Sequence, residues 1–329
     1  MNLNHNTAPV QTSLLTGWRY RAVLFSVVGA ALGYLGVSVW GGWREVMSAF
    51  GKVGWIGIGI ALLLSCANYG LRFVRWQIYL RELGHPVRTL PSLRIYLAGF
   101  ALTTTPGKAG EALRGLLLKR WGVPYPLSFA AFFSERLSDL LAVAVLTLFG
   151  LSLYPQGRPI IVVGLALVVA ALLVLSQRSL LEKIDGWLSA SVGKLATLGR
   201  NVVRVLLEAR RCHEPRVLLL ASVLSVLAWS AEALAFYCML HWMGMAVPLA
   251  FAVFVYAIAM LAGALSFMPG GLGGAEVVMV ALLTWKGMQG GDAVAATVLI
   301  RLTTLWFAVG LGAWFLLRDQ SNALTEERP

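Results

Sequence analysis

Between Glu232 and Glu276 the chain runs for 43 residues without an Asp, Glu, Lys or Arg. Only a solvent that rewards apolar surface tolerates such a stretch. In lipid, every backbone N–H and C=O must also be satisfied within the structure, which restricts spanning segments to helices or closed barrels. The rest of the chain agrees: of 329 residues, 58% are apolar and 13% charged, against about 25% charged in soluble proteins. A disordered chain, a disulfide scaffold and an ordinary soluble enzyme are excluded. The apolar runs are of helix length. The expected fold is therefore all-α, a polytopic membrane helix bundle.

Charge placement sets the expected topology. Ala22–Trp40 is an uncharged run of 19 residues preceded by Arg19 and Arg21. Val53–Leu71 is a second run of 19, followed by Arg72, Arg75 and Arg81. Ile95–Gly107 is only 13 residues, too short to cross, and ends in Thr103-Thr104-Thr105-Pro106-Gly107; a run of that length reads as re-entrant. Ala109–Arg120 is the returning arm. Phe129–Leu153 and Pro159–Gln177 are further crossings. Arg178–Arg216 carries eight Lys/Arg and four Asp/Glu, with Ile184, Leu188, Leu195, Leu198, Val202 and Leu206 near a period of 3.6. It reads either as one or two amphipathic helices on the membrane surface or as a solvated linker. A crossing over Val217–Val247, a second broken hairpin from Leu249 to Lys286 and a crossing over Ala293–Leu317 complete the chain.

This topology puts 17 of the 27 Lys/Arg on the cytoplasmic side and 4 outside, with both termini cytoplasmic, as the positive-inside rule requires. The net charge of +12 therefore serves orientation, and nucleic acid is not expected as a partner. The chain reads as one integral membrane domain: residues 1–52 a tail and first crossing, 53–153 a first repeat, 154–216 a crossing and basic segment, 217–318 a second repeat, and 319–329 a tail.

The repeats rest on matched motifs. Pro106-Gly107-Lys108-Ala109-Gly110-Glu111 precedes Arg136-Leu137-Ser138, and Pro269-Gly270-Gly271-Leu272-Gly273-Gly274-Ala275-Glu276 precedes Arg301-Leu302-Thr303. Glu111 to Arg136 and Glu276 to Arg301 are both separations of 25. Three single crossings separate the repeat starts, and a hairpin adds none or two. Parity thus makes the repeats inverted, each with a re-entrant Pro-Gly-broken hairpin, an arrangement associated with alternating-access transport.

Eleven ionisable residues fall in or beside apolar segments: Arg72, Arg75, Lys108, Glu111, Arg114, Glu135, Arg136, Asp139, Glu232, Glu276 and Arg301. Each costs about 2.5–3.5 kcal/mol at a helix centre on insertion scales, so each must meet protein, water or another charge. They either pair to fix packing or receive substrate. Arg136 and Asp139 can pair along one helix face. Arg301 has Thr304 in place of that aspartate, which makes it the freer candidate for substrate. The breaks at Pro106, Gly107, Pro269, Gly270 and Gly271 either present backbone N–H groups to an anion or allow close helix packing. Gly270–Gly274 lacks the strand and Lys-Ser/Thr of a nucleotide loop. Glu135 and Asp139 form a carboxylate pair without an accompanying histidine or cysteine. Cys66, Cys212, Cys238 and the four histidines form no metal-ligand spacing, so no metal, cofactor or catalytic residue is expected.

Pro106-Gly107-Lys108-Ala109-Gly110-Glu111-Ala112-Leu113-Arg114, Glu135-Arg136-Leu137-x-Asp139, Pro269-Gly270-Gly271-Leu272-Gly273 and Arg301-Leu302 together resemble the lysylphosphatidylglycerol synthetase transmembrane (flippase-like) family, over roughly Val53 to Leu317. The resemblance implies an inner-membrane protein that moves a lipid or lipid-linked head group between leaflets. The soluble aminoacyl-transferase domain of the best-known members has no counterpart before Pro329, so lysyl-lipid synthesis is not expected. The substrate-binding set is then Lys108, Glu111, Arg114, Arg136, Asp139, Glu276 and Arg301, supported by Arg72, Arg75, Glu135 and Glu232. Membrane lipids are the expected partners of a non-enzymatic transporter. A non-transporting partner of an envelope-lipid or glycan enzyme, and a membrane-embedded lipid transferase using Glu135 or Asp139 as base, are the alternatives.

Overall fold

The computed structural model describes residues 42–104, 109–151, 158–189, 193–266 and 268–326, with two isolated positions, 29 and 36. The expected crossing Ala22–Trp40, apart from those two positions, lies outside the described residues. So do Pro106, Gly107 and Lys108, and the side chain of Glu111. The described chain is helical with no strand.

The first described helix, α1 (Trp43–Glu82), is longer than the uncharged run beginning at Val53. Its first turns are held by Val46, Ala49 and Val53, which recur at helical spacing and are buried. The path bends at Gly54, φ 65° and ψ 172°, a conformation that glycine adopts without steric penalty. After α1 come α2 (Thr89–Ala98) with a tight turn Gly99–Leu102, α3 (Ala109–Lys119), α4 (Tyr125–Leu151) and α5 (Arg158–Ser176). The second half carries α8 (Pro215–Trp242), α9 (Leu249–Leu265), a turn at Pro269–Gly271, α10 (Gly274–Trp285), α11 (Gly290–Arg301) and α12 (Phe307–Glu326), with π-helical backbone at Leu302–Trp306 joining the last two. Between the halves lie α6 (Arg178–Ser189) and α7 (Lys194–Ala209).

Among the described residues, three helices are long and apolar enough to cross a membrane: Trp43–Glu82, Pro215–Trp242 and Gly290–Arg318. The apolar helices Thr89–Leu102, Leu249–Leu265 and Gly274–Trp285 are shorter. At 1.5 Å per residue, none of them reaches the roughly 30 Å of a hydrocarbon core.

The basic segment folds as two helices. Leu181, Val203, Ala209 and Cys212 are buried, and Leu188 packs against Gly199. Trp187, Leu198 and Val202 remain exposed, an apolar stripe beside basic side chains. Burial pushes the Cys212 thiol up to about 12, offset in part by a hydrogen bond to Ser134.

Two aromatic- and alanine-rich cores hold the bundle. One joins α8–α11 and the start of α1, and the other joins the end of α1 with α2 and α4. The first depends on close approach. A Cβ on Gly150 of α4 would come within 2.7 Å of Phe254 Cα and 2.8 Å of Ala250 O on α9. Backbone cannot retreat as a side-chain tip can, so Gly150→Leu is expected to destabilise the protein by about 1–3 kcal/mol, read as a lowered melting temperature in detergent.

His213, at the turn before α8, is buried, with Nδ1 2.7 Å from Ala209 O. Burial holds its imidazole below the ordinary 6.5, and the carbonyl contact offsets part of that. The unfolded state then binds the extra proton more readily, so this contribution to stability is present above pH 6.5 and lost as pH falls through the depressed value. Acidification from about pH 7.5 to about pH 5.5 is expected to lower the amide hydrogen-exchange protection around residues 209–214, with the intrinsic pH dependence of exchange divided out, in the wild type and much less in His213→Gln.

Candidate functional site

Helical spacing builds the site. Asn68, Arg72 and Arg75 lie on one face of α1, at i, i+4 and i+7. Ser225, Trp229 and Glu232 do the same on α8, and the two helices pack together. Asn68 Nδ2 donates to Ala228 O at 2.8 Å across that seam. From α4, Glu135 and Asp139 reach the same seam one turn apart.

Asp139 is the hub. Its Oδ1 accepts from Arg75 Nη1 at 2.7 Å and from Trp229 Nε1 at 3.1 Å. Its Oδ2 lies 3.0 Å from Arg136 Nη2 and 3.4 Å from Arg72 Nη2. Arg75, fully buried, also donates to Ser225 Oγ and lies 3.6 Å from Glu135 Oε1. Glu135 Oε2 accepts from Arg114 Nη1 at 2.8 Å. Tyr79 and Ser138 hydroxyls, 2.7 Å apart, brace the α1–α4 contact.

Arg114 brings α3 into the network. Its guanidinium lies 4.4 Å from the centre of the Tyr96 ring, 5.3 Å from Trp76 and 5.8 Å from Phe100, an aromatic cage of the kind that stabilises a desolvated cation. Gly99 makes room for it, since a Cβ there would fall 2.7 Å from Arg114 Cγ.

Four arginines thus surround two carboxylates, an excess of two positive charges among the described side chains. The Nε atoms of Arg72, Arg75, Arg114 and Arg136 are buried without a hydrogen-bond partner. Arg136 is the most open, with 36% of its side chain exposed, and Arg72 follows at 12%. Guanidinium groups with spare donors and excess positive charge have the chemistry to hold an oxyanion such as phosphate.

The second break is organised by a separate cluster. Arg301 Nε donates to Glu276 Oε1 at 2.6 Å, and Nη2 donates to Gly270 O at 2.9 Å. Glu276 Oε2 accepts from Gly273 N–H at 2.6 Å at the start of α10. Gly270, Gly271 and Gly273 have φ of 64°, 67° and 85°, so the turn that Arg301 grips requires glycine. The expectation that Arg301 stands free is corrected here. Its partner comes from another helix, at the spacing of 25 residues, while the i+3 position holds only Thr304. The N-terminus of α10 is likewise occupied by Glu276 and not left open to an outside anion.

Glu232 takes a third environment. It accepts from Tyr256 Oη at 2.5 Å and is 5% exposed. Among the described residues it forms no ion pair.

Sequence reading passed over the neutral partners Trp229, Ser225, Tyr256, Tyr96 and Trp76. Their signal was the i, i+4, i+7 alignment of Ser225 and Trp229 with Glu232, matching Asn68 and Arg72 with Arg75. Lys108 lies outside the described residues, and Glu111 is placed by its backbone alone, in α3.

Buried arginine–carboxylate clusters at the seam of an apolar helical bundle define a polytopic integral membrane protein with an ionic interior. The chain belongs to the family of the lysylphosphatidylglycerol synthase TM region, whose model matches residues 22–312. It is 27% identical over 293 residues to a UPF0104 membrane protein of Methanothermobacter thermautotrophicus, covering 82% of this chain and 87% of that protein. It is 24% identical over 291 residues to a UPF0104 membrane protein of Pyrococcus horikoshii, covering 79% and 86% respectively. A shorter match, 31% identical over 102 residues, covers 30% of this chain and 16% of Glycosyltransferase AglD of Haloferax volcanii.

Removing one partner of a buried ion pair strands the other's charge, at about 3–5 kcal/mol. Asp139→Asn is expected to destabilise by that order, because it leaves Arg72, Arg75 and Arg136 without their shared counter-charge. The melting temperature of the purified protein in detergent reads this, and Arg136→Gln, at the open edge, is expected to lower it far less.

Proposed function

We propose that this chain is a transporter that moves a lipid with a phosphate-bearing head group between the leaflets of the cytoplasmic (inner) membrane, with both termini in the cytoplasm. The observation that carries this reading is the excess of guanidinium charge buried in a bundle that otherwise excludes charge. Arg72, Arg75, Arg114 and Arg136 offer more positive charge than Glu135 and Asp139 balance. Packing alone is served by neutral pairs, and surplus desolvated cations are costly unless an anion visits them.

The head group binds at Arg136 and Arg72, the most open members, with Arg114 deeper in the cluster and Lys108 as a further cation of the set. Asp139, Glu111 and Glu276 balance the cations or read an amine on the head group. Arg301 acts at the second hairpin by holding its turn in shape. Acyl chains remain in lipid, and no covalent bond of the substrate is made or broken.

Reciprocal contacts support an inverted-repeat reading. Tyr69 and Trp229 stand three residues before Arg72 and Glu232. Thr304 and Asp139 stand three residues after Arg301 and Arg136. Tyr69 Oη donates to Thr304 O at 2.5 Å, and Trp229 Nε1 donates to Asp139 Oδ1 at 3.1 Å. Each half thus reaches into the other at corresponding positions, as a two-fold relation requires, and Asn68 and Ala228 meet their own counterparts between them. Such a relation gives the ionic seam two equivalent ways to open, one towards each leaflet.

A second reading has a specific observation behind it. The match to part of a glycosyltransferase favours a membrane partner for an envelope-glycan enzyme, docking through the exposed Trp187 and Leu198 of α6 and α7. Co-purification of such an enzyme, lost in Trp187→Ser/Leu198→Ser, would favour it.

The transport reading is tested in proteoliposomes with fluorescent phosphatidylglycerol, following accessibility to dithionite. Wild type is expected to equilibrate the lipid at least tenfold faster than Arg72→Gln/Arg136→Gln, on the order of one lost charge-assisted contact or more. Equal rates for the two proteins, with both folded, would sink it.

A further inference from the structure

Glu232 differs from the other described acids of the ionic interior. Glu135, Asp139 and Glu276 each lie within 3.0 Å of an arginine nitrogen, whereas Glu232 has a tyrosine hydroxyl. The charged and titratable groups facing it come from every helix packed on α8. These are Arg72 and Tyr69 of α1, Asp139 of α4, Tyr256 of α9 and Arg301 of α11. Two of them are cations already engaged elsewhere: Arg301 by Glu276, and Arg72 by Asp139 at the long distance of 3.4 Å. Arg72 also lies against α8 itself, its guanidinium 5.5 Å from the centre of the Trp229 ring, one helical turn before Glu232. A second acid therefore stands within the surroundings of the most loosely held arginine of the anion receptor.

We propose that Glu232 is a proton-binding site coupled to the anion site through Arg72, an inference that rests on the transport reading above. With Glu232 protonated, the receptor keeps its excess of two positive charges and holds a phosphodiester. When the carboxyl O–H bond breaks, the proton passes to water and the electron pair stays on the carboxylate. The new negative charge then neutralises Arg72 and lowers the receptor's excess to one. Anion binding and proton binding thus favour each other, and linkage makes the coupling reciprocal. A bound head group promotes protonation of Glu232, and an imposed proton gradient biases the movement of the head group.

The test is calorimetric, on the full-length protein in detergent. Dihexanoyl phosphatidylglycerol and dimethyl phosphate serve as probes, titrated in buffers of differing ionisation enthalpy. Both probes are diesters that do not titrate near neutrality, and the comparison separates recognition of a lipid head group from that of a free anion. Wild type is expected to take up as much as one proton per anion bound, and its affinity to fall up to about tenfold per pH unit where Glu232 titrates. Glu232→Gln is expected to bind without proton uptake and without that pH dependence. Tyr256→Phe keeps the acid and is expected to keep the uptake at a shifted pH, which guards against a misfolded Gln variant. Infrared spectra give a reading without ligand: as pH is lowered through the titration of Glu232, the wild type should gain a protonated-carboxyl stretch that Glu232→Gln lacks. Binding without proton uptake, or uptake undiminished in Glu232→Gln, overturns the role of Glu232 and leaves the anion site standing. If neither diester binds wild type, the transport reading fails, and this inference with it.

Discussion

Asp139 holds the interior together. One carboxylate accepts from Arg75 and Trp229 on one oxygen and faces Arg72 and Arg136 on the other, so it ties α1, α4 and α8 at a single point. Attraction between ions in a low-dielectric interior is strong, but it repays desolvation only where the remaining donors and acceptors are met. Here the neutral partners do part of that work. Trp229 donates to the hub and Ser225 accepts from Arg75, the Tyr79–Ser138 pair braces the helices that carry them, and the Nε donors of the arginines are left over.

The aromatic cage around Arg114 extends the same logic to α3. A short arm cannot span the bilayer, and its own length offers little cohesion. It is retained by one cation inserted among Tyr96, Trp76 and Phe100 and paired with Glu135. In the second half the same task falls to Arg301, which grips a turn whose glycines occupy left-handed backbone. Two short arms with related motifs are therefore held by different chemistry: an aromatic-caged ion pair for one, and an arginine clamp on carboxylate and carbonyl for the other.

That difference bears on function. The arginine cluster of the first half carries surplus charge, whereas the second-half pair of Arg301 and Glu276 is balanced. On the transport proposal, an anion has reason to visit the first and little reason to visit the second. Glu232, which forms no ion pair among the described residues, stands near both, and in the proposed coupling a change of its own charge alters the balance of the first cluster.

The sequence by itself determined the solvent and the class of fold. A run of 43 uncharged residues admits lipid-embedded helices, and helix positions followed because apolar length and the periodicity of the basic segment are local properties. The start of α1 was missed because the short stretch from Trp43 to Val53 carries charges at Arg44, Glu45 and Lys52, and only packing of Val46 and Ala49 reveals its buried face. The ionic residues were also legible, since charge in an apolar run is conspicuous, and so was the repeated spacing that joins Glu276 to Arg301. Their partners were not. Whether Arg136 or Arg301 stands open depends on which helix lies opposite, and Arg301 found Glu276 across a turn while Arg136 kept one edge exposed. Neutral partners such as Trp229 and Tyr256 carry no charge to mark them, and only tertiary contact distinguishes them from the many other aromatic residues of a membrane helix. Composition and period act along the chain and can be read there. Pairing acts between helices, and the packed bundle alone decides it.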